Sequence, residues 1–272
     1  MSTHITRLRS GNPWRRLAHW RGAAVLPFIL LVFACAEPPT VEAPAISDTV
    51  DNVMDLAARE QHEAAVTMFE RIKEDQPETI ESIHGHKVAV LYAHIGDPAR
   101  HETHCRWLIE RYRDAELPTD AERSVKGYVL APSSDDPALL EHALERTRLA
   151  TDYAEERGEG EYQLWFEGSR GMAAYRVGNY DEAVTHLEKA TEAESLYISS
   201  LALPFLAMAE FARGNQERAE QVLEHARAEA ARLPEPGSEE YLREWTDTLT
   251  TQLAMREAEE VIAGAEDGAD GS

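Results

Sequence analysis

GMAAYRVGNYDEAVTHLEKA (residues 171–190) and AMAEFARGNQERAEQVLEHA (residues 207–226) match position by position at an offset of 36 residues. Gly171 aligns with Ala207, Gly178 with Gly214, Ala183 with Ala219, Leu187 with Leu223 and Ala190 with Ala226. Each copy reads as two amphipathic helices around a turn. Antiparallel helices approach closely only where small side chains face each other, so Gly or Ala is needed on both. The glycine at the turn supplies a backbone angle that other residues adopt only with strain.

Weaker copies lie upstream. HEAAVTMFERIKEDQP places Ala65, Phe69, Ile72 and Pro77 at second-helix positions. GHKVAVLYAHIGDPARHETHCRWLIERY supplies Ala89, Tyr92 and Gly96 in a first helix, then Cys105 and Leu108 in a second, with His101 where a small residue is expected. A longer unit runs from Asp120, taken as a helix cap, to about Glu156. Breakers separate the helices at Gln76-Pro77, Gly96-Asp97-Pro98, Leu117-Pro118, Pro132-Ser133-Ser134, Gly158-Glu159-Gly160 and Pro234-Glu235-Pro236-Gly237. Almost nothing alternates with period two, so the expected class is all-α. The last helix, Glu239 to Ile262, is expected to cap the array, and residues 263–272 form an acidic tail expected to be disordered.

The pattern of small residue, turn glycine, small residue, large apolar residue, small residue resembles that of tetratricopeptide repeats. That resemblance implies an α-solenoid of about four to five helix pairs whose first helices line a concave groove that accepts peptides. Over roughly Ile80 to Leu233 the chain is similar to the repeat regions attached to serine/threonine kinases and WD40 proteins of the planctomycete type. No Gly-rich loop, HRD or DFG motif accompanies it, so kinase activity is not implied.

The N-terminus reads as an address. A basic stretch to Arg21 precedes the apolar run AAVLPFILLVFA, Ala23 to Ala34. At 1.5 Å per residue such a run spans roughly 18 Å, short of the roughly 30 Å of a bilayer core, and fits a secretory signal peptide. Val32-Phe33-Ala34-Cys35 resembles a bacterial lipobox, with Phe33 departing from the small or β-branched residue usual there. The resemblance implies lipidation of Cys35 as the new N-terminus. Ala36, where Asp would imply inner-membrane retention, points to the outer membrane. The expected division is thus residues 1–34 as signal peptide, 35–46 as lipidated Cys and Pro-rich tether, and 47–262 as helical repeats facing the periplasm. A secreted or inner-membrane-anchored form is the alternative.

The chain carries 27 Lys+Arg and 50 Asp+Glu, a net charge of −23. Five arginines and no acid lie in residues 1–34, so the remainder stands at −28. Such a surface repels phosphate backbones, which argues against nucleic acid and for a protein or peptide partner with a basic patch. Two distant cysteines exclude a disulfide framework.

No GxSxG, Walker loop, HExxH or dinucleotide fingerprint is present, so no enzyme activity and no cofactor are expected. What the groove register of the resemblance selects is Trp165, Met172, Tyr175 and Arg176, then Met208 and Phe211, and upstream His86, Val90 and His94. Aromatic residues, Met and Arg dominate binding energy at interfaces. The alternative is a metal or small-ligand site in the cluster His84, His86, His101, His104 and Cys105. There His101 and His104 stand three apart, a helical spacing compatible with shared ligation.

Overall fold

A computed structural model describes residues 48–131, 136–158 and 160–269. The expected signal peptide (1–34) and the expected lipidated Cys35 with its tether (35–46) therefore lie outside the described residues. The described chain is helical throughout, with no strand among the described residues. Five pairs follow one another: α1 (Val50–Ala58) with α2 (His62–Asp75), α3 (Ser82–Ile95) with α4 (Pro98–Arg111), α5 (Pro118–Leu130) with α6 (Pro137–Arg157), α7 (Gly160–Arg176) with α8 (Tyr180–Thr191), and α9 (Leu196–Ala212) with α10 (Gln216–Ala230). A final helix, α11, runs from Glu239 to Ala269 with a break at Glu244.

Local chemistry sets the ends. The Asp97 carboxylate accepts from the Arg100 N–H, and Asp136 from those of Ala138 and Leu139, each followed by a proline with a preset φ. Asp120 is not the cap of α5. That helix starts at Pro118, and Asp120 instead accepts from the Ser82 hydroxyl of α3. The repeat turns behave as expected: Gly178 and Gly214 have φ of 80° and 83°. The close approach does too, because a Cβ on Gly171 would stand 2.5 Å from Cγ of Leu187.

Neighbouring pairs stack so that α1, α3, α5, α7 and α9 touch in succession and form one continuous layer. Residues 198–210 of α9 are all buried, because α7, α8, α10 and α11 surround the helix.

The last helix reaches beyond the end of the array. It packs on α9 and α10, and also on α1, α3 and α5, so it lies across the layer of odd-numbered helices. Several contacts hold it there. Trp245 and Tyr241 are fully buried, Ser200 and Thr251 hydroxyls are 3.2 Å apart, and Arg227 pairs with Glu259 at 3.0 Å. Helix α11 also continues to Ala269, so most of the segment expected to be a disordered tail is helical. Once a helix is nucleated each further residue adds a hydrogen bond, and the Ala- and Glu-rich stretch contains no proline to stop it. No described helix is long and apolar enough to cross a membrane.

Candidate functional site

Helical spacing brings four elements to one pocket of about 350 Å³. From α3 come Ile83 and His86, three apart. Thr119, Glu122, Arg123 and Lys126 of α5 stand at i, i+3, i+4 and i+7, a single polar stripe. Tyr162, Trp165 and Phe166 of α7 follow the same rule, and Asp247 of α11 closes the far side.

The polar groups are held tightly. Glu122 and Lys126 are both buried and pair at 3.2 Å, with the Ser169 hydroxyl also donating to Glu122. The Lys126 ammonium lies 4.3 Å from the centre of the Trp165 ring, a cation–π contact in a largely desolvated place. Arg123 forms no ion pair among the described residues. Burial raises the Asp247 carboxyl, with Lys126 and Lys87 opposing and Glu244 and Glu122 adding to the rise. Burial also pushes His86 well below the usual imidazole range, and nearby Lys126, Arg123 and Lys87 add to this, so it is neutral at neutral pH. Its Nδ1 has no hydrogen-bond partner.

Of the residues the sequence selects for a groove, the structure brings Trp165 and His86 together here. The others go elsewhere. Val90, Met172 and Met208 are fully buried and offer no surface to a partner, because they fill the spaces between packed helices. Tyr175 is half-buried, its ring 5.9 Å from that of Phe205. Phe211 packs against the core. Arg176 is engaged within the chain. Its Nε donates to the Val129 carbonyl at 2.7 Å and its Nη2 to the Leu130 carbonyl at 2.9 Å, and both terminal nitrogens bind Glu257 of α11. His94 meets His62 edge to face at 4.9 Å and lines a second cleft of about 510 Å³ with Arg227, Pro234 and Arg256.

The cluster of histidines and Cys105 is divided among helix contacts. His84 Nδ1 accepts from the Glu81 N–H at the start of α3. His101 Nε2 bonds the Gly127 carbonyl at 3.1 Å, and His104 Nε2 the Gly85 carbonyl at 2.7 Å. Cys105 Sγ lies 3.5 Å from His101 Nε2, in a buried site that pushes the thiol pKa far up. Among the described residues no three His, Cys, Asp or Glu side chains come close enough to hold a metal ion. The i, i+3 spacing of His101 and His104 puts them on neighbouring faces that serve different helices, α5 and α3.

His104 gives a pH prediction. Burial pushes its pKa down to about 3, opposed by the Gly85 carbonyl and reinforced by Lys73 and His101. The folded value lies below the unfolded one, so the unfolded chain binds the extra proton. Stability is therefore full above pH 6.5 and declines as pH falls from there towards 3. The loss from this group between pH 6.5 and 5 is about 2 kcal/mol. Urea unfolding at both pH values is expected to show a gap that narrows in His104→Gln. An unchanged gap would contradict the assignment.

Sequence reasoning missed Glu122, Arg123, Lys126, Tyr162, Phe166 and Asp247. The available signal was the stripe on α5, charged along one face of a helix whose other face is Ala121, Val125 and Tyr128. Comparison of the chain with protein-family models, with curated proteins and with solved structures gives no match.

Proposed function

We propose that the chain is a non-catalytic binding module, a tetratricopeptide-like solenoid of five helix pairs held by a lipid on Cys35 at the periplasmic face of a bacterial envelope membrane, the outer membrane favoured. It captures a partner protein on the side formed by the odd-numbered helices, in the service of envelope assembly or secretion. The observation that carries this reading is the pocket between α3, α5, α7 and α11. It opens on the layer of odd-numbered helices, with Tyr162 54% exposed at its edge. Large aromatic side chains presented beside a concavity are the usual anchors of an interface. The chain's net charge of −23 favours a partner with a basic patch and an affinity that falls with salt.

Photocrosslinking tests the reading. With p-benzoylphenylalanine at position 162, cells that make the protein are expected to yield a discrete adduct. The same group at Thr185, exposed on α8, is expected to yield none. Identical adducts from both positions, or none from 162, would remove the pocket from the function. Anchoring is tested separately: radiolabelled palmitate is expected to enter the wild-type chain and not Cys35→Ala. Equal labelling of the two would place the lipid elsewhere.

A further inference from the structure

We propose that the pocket between α3, α5, α7 and α11 binds a small organic acid, an anionic carboxylate carried on a flat apolar body of one or two rings. This goes beyond the partner contact at the pocket's edge and assigns the interior a ligand of its own.

Charge is the first argument. The chain as a whole stands at −23, whereas the pocket lining sets two cations against two acids. Its walls hold Arg123 and Lys126, with Lys87 close enough to act on both His86 and Asp247. Of the two acids, Glu122 is engaged by Lys126 and Ser169. Asp247 sits where burial disfavours its charged form. The Arg123 guanidinium remains without an ionic partner among the described residues, and its planar fork matches a carboxylate.

His86 is the second. It is 5% exposed, lines the pocket, and has a ring nitrogen with no partner. That nitrogen has no exposed surface and lies beside Gly127 of α5, so what His86 contributes to the pocket wall is the rest of a neutral ring, which sets no negative charge against an anion.

Shape is the third. Tyr162 and Phe166, rings 6.4 Å apart, and Trp165 make an aromatic wall on α7. Lys126 already lies over the Trp165 ring, so a cationic ligand would meet an ammonium in its place. A volume of about 350 Å³ is at the small end of ligand pockets and suits one or two rings rather than an extended peptide.

Calorimetric titration of the full chain with 2-naphthoate and with 2-naphthylmethylammonium separates the possibilities. The acid is expected to bind with a dissociation constant below about 1 mM, and the amine at least about tenfold more weakly. Arg123→Gln is expected to weaken the acid by about tenfold or more, whereas Arg218→Gln, on the exposed face of α10, leaves it unchanged. Lys126 is unsuitable for the test because its loss would strand Glu122. An amine that binds as well as the acid, an acid indifferent to Arg123→Gln, or binding by neither probe overturns the proposal. If neither probe binds while the adduct at position 162 forms, the organic acid falls and the partner contact stands. If naphthoate binds and no adduct forms, the organic acid stands and the partner contact falls.

Discussion

Arg176→Ala is expected to lower the stability of the folded chain by about 3–5 kcal/mol, the loss typical of breaking a buried ion pair from one side. The Arg176 side chain is 9% exposed and that of Glu257 16%, so water screens the pair poorly. Arg176 also satisfies the carbonyls of Val129 and Leu130, in the last turn of α5, which have no partner within their own helix. One guanidinium therefore closes the end of α5 and fixes α11 across the layer. In Arg176→Met with Glu257→Met the stranded charge disappears while the two carbonyls stay bare, so part of the loss is expected to return. Urea midpoints for the single and double variants check this. A loss below about 1 kcal/mol for Arg176→Ala would mean that the pair does not hold α11.

Trp245→Ala carries the second large effect, also about 3–5 kcal/mol, from lost burial and the cavity left behind. Trp245 is the largest fully buried side chain among the described residues, and the Lys87 ammonium lies 5.9 Å from its ring centre. It sits in α11 just past the break at Glu244, where the helix turns onto the layer. Leu242→Ala, three residues earlier on the same helix and 40% exposed, is expected to change stability by no more than about 0.5 kcal/mol. Thermal or urea unfolding of the two variants distinguishes a helix that belongs to the core from one that merely rests on it. Similar small losses from both would contradict the packing described.

The helix pairs were legible because their signals are local. Gly178 and Gly214 mark turns by backbone angle alone, and Gly171 opposite Leu187 marks a close approach between sequence neighbours. The path of α11 was not legible. Glu257 stands in REAEE among acids that read as solvated, and nothing nearby identifies its partner 81 residues upstream. Arg176 illustrates the same divide: its position on the inner side of α7 followed from the repeat register, while its occupant is the chain's own last helix. The histidine cluster failed for a related reason. His101 and His104 are neighbours on α4, but each ring nitrogen is taken by a carbonyl of a different helix, Gly127 of α5 and Gly85 of α3. The pocket fell between these cases. Trp165 and His86 were within reach of the register, but Arg123 and Lys126 line a pocket only because α11, distant in sequence, brings Asp247 to it.

Whether a partner meets the pocket with α11 in place can be measured directly. Ser200→Cys and Thr251→Cys, at hydroxyls 3.2 Å apart on α9 and α11, allow the last helix to be locked by oxidation. The position-162 crosslinker is then compared in the locked and reduced forms of that variant. Undiminished adduct in the locked form is the expected result, because the pocket already lies open beside α11. Loss of the adduct on oxidation and its return on reduction would contradict this, and would mean that α11 must leave the layer before the partner binds.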